Sequence, residues 1–445
     1  MNNKRKRGSS WIWVICVLLF LLLAGGAYYL ISSHLPSLSD SLQEVKQSVS
    51  SKKDDDQQAL LFSCKHPSFE NGACTVCGWK CTDHEFNNGA CMICGTPCPH
   101  EFHDSVCSIC GFKCPHESWN DGACAVCGTP CSHPGHDPET ALCVVCGQKQ
   151  YHHYVRGVCT DCGGKPVFYT DPLPLSFYEP VEHKGTITKH EYTTTLWGAH
   201  DRDSIDKAFN VYLPYGYDES QPYDVLILIH GGGGSEDSWL VDKVPYGETE
   251  VTGGSLLDYM IEQKVCKPCI VVTPVTNTRF LTGVEGGIYQ MREELRDYIL
   301  PYIVEHYSTY AADSSLDAIS TAREHFGLGG LSNGALCVFE AGFQYNFTLF
   351  GSYAAFSGDY EPWNTASAIR NGEFAELPIT CFFAGAGSID DFQQQNSKVG
   401  FDYIVENTDR LIEGENAFYV DVTGGHDWTV WFTDLYNAMQ VMFPD

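Results

Sequence analysis

The serine at position 332 stands in a segment whose residue types are suited to nucleophilic catalysis. Gly330-Leu331-Ser332-Asn333-Gly334 follows an apolar stretch and precedes one with helical periodicity. In such a strand–turn–helix, glycines two residues before and after the serine allow a sharp turn, which exposes the hydroxyl and directs the next N–H toward a developing oxyanion. We therefore predict that Ser332 is a nucleophile and that the Asn333 N–H belongs to an oxyanion hole.

A second glycine-rich segment indicates where the rest of the oxyanion hole lies. The apolar run 225–229 leads directly into His230-Gly231-Gly232-Gly233-Gly234. Glycines let a loop come close to a tetrahedral intermediate, and backbone N–H groups there stabilise its negative oxygen. We expect the N–H of Gly231 or Gly232 to donate to this oxygen.

A histidine and an acid are the remaining parts of such a site. His426 follows the last predicted strand, where it is expected to take the proton of the serine and pass it to the leaving alcohol. The acid should hold the histidine ring from the loop after the preceding strand, which contains both Asp390 and Asp391. We favour Asp390, and the sequence leaves Asp391 as the alternative.

The elements that position these residues alternate between strands and helices. Apolar runs predict strands at 208–213, 225–229, 270–274, 326–331, 379–383 and 417–422. Between them, helical patterns occupy 254–264, 288–307, 333–343, 400–412 and a last segment from 428. This alternation predicts an α/β domain with a mostly parallel sheet over residues 185–445.

The domain resembles a known family of carbohydrate esterases, which includes feruloyl and acetyl-xylan esterases and has esterase D-like enzymes nearby. The resemblance spans 187–445 and rests on AFNVYLPYGYD, ILIHGGGGSEDSW, CIVVTPVTNT, LRDYILPYIVEHYS, GLSNGA and GGHDWTVW. It implies an α/β-hydrolase that cleaves feruloyl or acetyl esters on plant polysaccharide through an acyl-enzyme, without a catalytic cofactor. Family members commonly have G-L-S-M-G-G, so Asn333 and Ala335 depart from that pattern.

Two further functions remain open at this stage. The domain could have lost activity and serve in surface binding or adhesion, or it could cleave another ester such as a siderophore, because a fold does not fix its substrate. Aromatic faces suit both ferulate and sugar rings. Four tryptophans are therefore expected to line a cleft, unless several are core residues: Trp239, Trp363, Trp428 and Trp431.

A cysteine-rich array precedes the hydrolase domain. Seventeen of the 22 cysteines lie between positions 64 and 162, with a period of about 17 residues. Each of the first five units has C-x-H or C-x-x-H followed by C-x-x-C, and four such ligands closing on one Zn²⁺ make a structural site. In the sixth unit Gln150 replaces the first cysteine, and histidines stand in for it. The predicted ligands, unit by unit, are Cys64, His66, Cys74 and Cys77; Cys81, His84, Cys91 and Cys94; Cys98, His100, Cys107 and Cys110; Cys114, His116, Cys124 and Cys127; Cys131, His133, Cys143 and Cys146; and His152, His153, Cys159 and Cys162.

The array has alternative interpretations. Each C-x-x-C could instead pair with the C-x-H that follows it, although this register leaves ligands without partners at both ends. Disulfides are also open, because they are common in exported proteins. The histidines favour zinc-ribbon-like repeats, whose role would be spacing or binding to a cell-wall component or protein partner. Cys266 and Cys269 form a separate C-x-x-C, which predicts buried thiols or a local disulfide.

The N-terminal segment predicts export. A basic cluster precedes 21 uncharged, mostly apolar residues, long enough to cross a bilayer as a helix. We expect an uncleaved single-pass anchor in the cell membrane with the C-terminal domains extracellular; a cleaved signal peptide is the alternative. The net charge of −29 argues against nucleic-acid binding. The predicted order is a basic cytoplasmic tail at 1–10, the anchor at 11–31, a stalk at 32–60, the repeats at 61–165, a linker at 166–184 and the hydrolase domain at 185–445.

Overall fold

The computed structural model of the protein describes most of residues 65–443. The gaps within this range are 66–67, 72, 81, 83–85, 88–89, 95, 100, 104–105, 110–112, 115, 121, 195–203, 277–289, 359–360 and 392–393. In the described part of the chain, no helix combines the length and the apolar character needed to span a membrane. The predicted tail, anchor and stalk lie outside the described residues.

The chain divides into two compact units, Met1–Glu117 with Ala125–Thr129 and Ser118–Cys124 with Pro130–Asp445. In the first unit, the repeats fold into short antiparallel hairpins. Their strands are β1 (Phe69–Glu70), β2 (Ala73–Cys74), β3 (Phe86–Asn87), β4 (Ala90–Cys91), β5 (Phe102–His103) and β6 (Val106–Cys107). The second unit has two more such hairpins, formed by β7 (Trp119–Asn120) with β8 (Ala123–Cys124) and by β9 (Tyr154–Val155) with β10 (Val158–Cys159).

These hairpins were not predicted, although the sequence carries a signal for them. Each has two residues between its strands, and Asn-Gly or Asp-Gly in that place is typical of tight hairpin turns. The turn between β9 and β10 has Arg156 at φ 49° and Gly157 at φ 67°, as a type I′ turn requires. In these five units the hairpin pairs the first cysteine of the C-x-x-C with a residue that precedes the turn.

The hydrolase domain is built on an eight-stranded sheet in the order β11-β12-β16-β13-β17-β18-β19-β20. From β16 to β20 the neighbouring strands are parallel, while β11 and β12 extend the sheet in antiparallel pairing. The strands are β11 (Thr186–Thr194), β12 (Ile205–Leu213), β13 (Asp224–Ile229), β16 (Cys269–Pro274), β17 (Phe326–Leu331), β18 (Ser352–Phe356), β19 (Cys381–Gly387) and β20 (Ala417–Val422), with a separate hairpin of β14 (Val244–Tyr246) and β15 (Thr249–Val251).

Helices cover both faces of this sheet. They are α1 (Gly253–Glu262), α2 (Met291–Glu294, continuing through the π-helical Leu295–Ile299 to Leu300–His306), α3 (Leu316–Thr321), α4 (Asn333–Cys337, continuing as the π-helical Val338–Tyr345), α5 (Pro362–Ile369), α6 (Gln394–Glu406) and α7 (Trp428–Met439). The side chains of α1 and α7 form one apolar core with alternate residues of β13. The side chains of α2, α4 and α6 form a second apolar core with the remaining apolar residues of that strand. With both faces covered, the central parallel strands are buried along their whole length and are mostly apolar.

The segment predicted as a linker, 166–184, is packed onto the hydrolase domain, which corrects that prediction. Leu173 and Tyr178 are buried in the core that α1 and α7 share. Tyr169 exchanges two hydrogen bonds of 2.8 Å with the side chain of Asn437. The four prolines disguise this packing in the sequence, because they remove the periodicity by which a buried segment is recognised.

Candidate active site and Cys/His groups

Ser332 occupies a strained turn at the end of β17. Its φ of 52° and ψ of −116° lie outside the regions that residues with a Cβ prefer, at a cost of roughly 1–3 kcal/mol. Its N–H donates to the Phe356 carbonyl at 2.8 Å, which fixes the turn to β18. A Cβ at Gly330 would come within 2.5 Å of Gly334, and one at Gly334 would collide with the Ile229 carbonyl. Both positions therefore require glycine, because the backbone segments lie too close together for a side chain.

The histidine predicted as the base lies between the serine and one of the two candidate acids. Nε2 of His426 is 3.0 Å from Oγ of Ser332, and Nδ1 is 2.8 Å from Oδ2 of Asp390. With its proton on Nδ1, the ring donates to the carboxylate and accepts the serine O–H. The Asp390 side chain is fully buried and that of His426 is 22% exposed. This arrangement can move a proton from the serine while keeping the acid out of water.

The loop after β19 distinguishes the two aspartates. The N–H of Ile389 donates to the Gly424 carbonyl at 2.9 Å, which ties this loop to the one that carries the histidine. The N–H of Asp390 donates to the Gly387 carbonyl at 3.0 Å, closing a turn that directs its side chain inward. Asp391 is exposed on the outside of the same turn. The structure thus brings the favoured acid, Asp390, into contact with His426 and leaves the alternative, Asp391, away from it.

The loop after β13 lies directly over the serine. A Cβ built on Gly231 would fall 3.3 Å from Cβ of Ser332, and one on Gly232 would fall 3.0 Å from Nδ2 of Asn333. The structure therefore places all three predicted oxyanion residues beside the nucleophile. Only residues without a side chain let this loop come so near.

His230 is hydrogen-bonded within that loop and to the segment after β16. Its Nδ1 is 2.6 Å from the Gly231 carbonyl, and its Nε2 accepts from the Thr276 N–H at 2.9 Å. Burial lowers its pKa to about 4, so the ring is neutral and can serve as donor and acceptor at once.

A cavity of about 360 Å³ opens beside the serine, within the size range of small-molecule sites. Trp428 and Trp431 line it, and the Trp431 ring stands edge-on to His426 at 5.0 Å. Trp239 is 1% exposed, packs edge-on against Trp428 and donates to the Ile229 carbonyl. It is therefore a core residue and does not line the cleft as predicted. Trp363 is exposed on α5 and is not among the lining residues. Ser238, which also lines the cavity, had no signal in the sequence.

Among the described residues of the repeats, three groups of four cysteines and histidines bring their ligand atoms within 4.8 Å of one another. Two follow the predicted register: Cys114, His116, Cys124 and Cys127, and Cys131, His133, Cys143 and Cys146. In the earlier repeats, Sγ of Cys98 and of Cys107 are 3.7 Å apart. The other described ligands there are Cys74, Cys77, Cys91 and Cys94, while Cys64, His66, Cys81, His84, His100 and Cys110 lie outside the described residues.

The third group corrects the prediction for the sixth unit. It consists of His136, His152, Cys159 and Cys162. His153, predicted as a ligand, instead directs Nδ1 to the Asp161 carboxylate at 2.6 Å. His136 was missed because it lies inside the fifth unit, three residues after the histidine assigned there. Its signal was a second histidine in that unit, which does not by itself mark a ligand because the third unit also has a second histidine, His103.

Distances between these atoms fit a shared metal ion better than covalent pairing. Four ligands with bonds of about 2.0–2.3 Å to one Zn²⁺ lie about 3.5 Å from one another. Sγ of Cys131 and of Cys143 are 3.8 Å apart, whereas a disulfide requires about 2.05 Å. Elsewhere, Cys266 and Cys269 are buried thiols rather than a local disulfide, and burial raises the pKa of Cys266 to about 12.

Known proteins resemble the hydrolase domain in sequence and structure. Endo-1,4-beta-xylanase Y of Acetivibrio thermocellus is 29% identical over 290 residues, covering 62% of this chain and 24% of the relative, so the chain spans about a quarter of that protein. A solved structure named FAE aligns with a TM-score of 0.53 and 26% identity over 63% of this chain and 95% of that one. A mutant of the feruloyl esterase module from Clostridium thermocellum, complexed with sinapinate, aligns with a TM-score of 0.53 and 25% identity over 66% and 96%.

The hydrolase domain also matches the model of a protein family. Residues 205–442 match the Esterase family. The matched segment begins with β12 and runs past the end of α7, so it includes every residue of the arrangement around Ser332. Because the match covers more than half of the chain, the protein belongs to the Esterase family and is a serine hydrolase of carboxylic esters.

Proposed function

We propose that the protein hydrolyses feruloyl- or acetyl-type esters on plant polysaccharide through an acyl-enzyme. The observation that carries this proposal is the tryptophan-lined cavity beside a serine, histidine and aspartate in hydrogen-bonding order. Aromatic walls favour an aromatic acyl group or a sugar ring. The likeness to a feruloyl esterase module complexed with sinapinate supports the same substrate class.

In the acylation step, Oγ of Ser332 attacks the ester carbonyl while its proton passes to Nε2 of His426. Asp390, which accepts the Nδ1–H at 2.8 Å, stabilises the imidazolium that forms. The negative oxygen of the tetrahedral intermediate accepts hydrogen bonds from the Asn333 N–H and from Gly231 or Gly232.

Collapse of the intermediate breaks the bond to the alcohol. His426 returns its proton to the departing oxygen, and the acyl group stays on the serine. A water molecule then gives a proton to the same nitrogen and attacks the acyl carbon. As the acyl–Oγ bond breaks, His426 passes that proton to Oγ, which releases the acid and restores the serine hydroxyl.

A substrate panel tests the acyl group. The full-length protein is expected to hydrolyse methyl ferulate and acetylated xylan. Trp428→Ala is expected to raise KM for methyl ferulate by about fivefold, since an aromatic contact contributes about 1 kcal/mol, and to change KM for p-nitrophenyl acetate much less. Steady-state kinetics on both substrates provide the measurement. Turnover of a siderophore ester with none on feruloyl or acetyl esters would contradict the proposed substrate.

We also infer that the Cys/His groups of the repeats hold structural Zn²⁺. Four thiolate and imidazole ligands with the observed spacings suit this ion. Gly128 and Gly147, which follow the C-x-x-C pairs, have φ of 72°, and the turns they permit direct N–H groups toward sulfur. For example, Gly163 has a φ of 73°, and the N–H of the next residue, Gly164, donates to Sγ of Cys162 at 3.3 Å. The metal content of the full-length protein, purified with a reductant, is the test.

For the N-terminal segment, we propose a single-pass membrane anchor at 11–31 with the repeats and hydrolase domain outside the cell. The support is the run of uncharged, mostly apolar residues behind a basic cluster. Esterase activity is expected to stay with membranes washed in high salt and to be released by detergent. A variant lacking residues 1–32 is expected in the soluble fraction. Release of the full-length protein by salt alone would contradict the anchor.

A further inference from the structure

The group formed by His136, His152, Cys159 and Cys162 crosses the boundary between two repeats. Nε2 of His136 is 3.0 Å from Nδ1 of His152 and 3.5 Å from Sγ of Cys159. Sγ of Cys162 is 3.6 Å from Nδ1 of His152. These separations match those of ligands that share one tetrahedral Zn²⁺, which are about 3.5 Å. Two thiolates balance the charge of the ion, and the four ligands leave no open position.

We propose that these four residues form a Cys₂His₂ zinc site that fastens the last repeat to the hydrolase domain. This inference rests on the zinc assignment proposed above and adds a ligand, His136, that the repeat pattern does not supply. The site differs in chemistry from the fifth unit, whose ligands are three cysteines and one histidine.

The two last sites are interleaved along the chain. His136 follows His133 by three residues and precedes Cys143, and both of those belong to the fifth site. The metal of the fifth site therefore holds both ends of the segment from His133 to Cys143, and the metal of the sixth site holds it at His136, between those ends. Loss of the sixth metal frees this segment from the hairpin β9–β10, whereas loss of a site in a simple array would free only its own unit.

The β9–β10 hairpin is in turn attached to the hydrolase domain. The Tyr154 ring stacks on His152 at 5.4 Å and packs against the apolar core that α1 and α7 share. Lys264, just beyond α1, lies 5.5 Å from the centre of the Tyr151 ring. One metal ligand is thus in direct contact with a residue of the domain interface.

The tip of the same hairpin makes a close backbone contact. A Cβ at Gly157 would collide with the Gly414 carbonyl in the loop before β20. Gly157 also has a φ of 67°, so its conformation and its contact both require glycine. Arg156 beside it lies 3.7 Å from the Glu415 carboxylate. The hairpin that carries Cys159 is therefore positioned on the hydrolase domain by shape as well as by charge.

Metal counting on the full-length protein tests the site. His136→Ala is expected to lose one zinc ion per chain relative to wild type. His153→Ala, the matched control beside the site, is expected to lose none, and His136→Cys to keep the ion because it supplies a thiolate. A wild-type protein without zinc would overturn the zinc assignment as a whole. Zinc-loaded wild type with an unchanged count in His136→Ala would overturn only the sixth site.

Hydrogen exchange tests the fastening separately from the metal. In His136→Ala, amides of 151–157 and 412–415 are both expected to exchange faster than in wild type and in His153→Ala. Gly157→Ala is expected to speed exchange in the same two segments while it keeps the full zinc count, because it touches no ligand. Unchanged exchange at 412–415 in both His136→Ala and Gly157→Ala would overturn the attachment to the hydrolase domain.

Discussion

Ser332→Ala is expected to lower kcat/KM for every ester substrate by roughly 10⁴- to 10⁶-fold, to the level of the oxyanion hole acting alone. Without Oγ, His426 has no proton to take and no acyl-enzyme can form. Initial rates with p-nitrophenyl acetate at high enzyme concentration measure the loss.

The same substitution leaves the fold intact, because alanine and serine experience the same backbone strain at a φ of 52°. Thermal unfolding followed by circular dichroism should therefore give similar midpoints for both proteins. Ser320→Ala, on α3 and away from the cavity, is the matched control and is expected to keep wild-type activity. A Ser332→Ala protein that is folded and retains a tenth of the wild-type rate would exclude this residue as the nucleophile.

Asp390→Asn is expected to lower kcat by about 10⁴-fold, whereas Asp391→Asn is expected to stay close to wild type. An asparagine can turn its NH₂ toward the ring, which holds His426 in the tautomer that cannot accept the serine proton, and it cannot stabilise the imidazolium. The exposed carboxylate of Asp391 makes no such contact with the ring in the described structure.

The paired variants are close to isosteric with the wild-type side chains, so rates measured at several pH values compare electrostatic roles with little change in packing. A larger loss in Asp391→Asn than in Asp390→Asn would reverse the assignment. Equal and small losses in both would show that neither carboxylate orients the histidine.

The order of catalytic residues along the chain could be predicted, because each follows a recognisable strand end. The acid was the hardest catalytic residue to assign, because the strand before it was predicted at 379–383 and is observed at Cys381–Gly387. Its last four residues, Ala384 to Gly387, have low strand propensity. Tertiary contacts override that propensity: a Cβ at Gly385 would collide with the Asp434 carboxylate, and one at Gly387 with the Gly425 carbonyl.

Two strands of the eight-stranded sheet were missed for different reasons. β11 is an edge strand with mostly exposed residues, so it lacks the apolar run by which the central strands were recognised. β18 is only Ser352–Phe356, and short buried strands have no periodicity of their own. The boundaries of β17 and β20 were predicted as they are observed, because these runs are bounded by polar residues or by the motif itself.

The sixth metal group contains a histidine that its own repeat unit does not supply. Its spacing gave Cys159, Cys162 and His152 but selected His153, which is adjacent in sequence, over His136, which is adjacent in space. His136 reaches this group from the fifth unit, and proximity of this kind cannot be predicted from the residues of the sixth unit alone.

Covalent labelling tests the central claim, that Ser332 is a nucleophile activated by His426, most directly. A fluorophosphonate probe reacts with activated serines, and peptide mass spectrometry locates the phosphonylated residue. The full-length protein is expected to be labelled at Ser332, and His426→Ala to be labelled far more slowly because the base is missing. Labelling at another serine, or labelling of Ser332 at an equal rate in His426→Ala, would contradict the account.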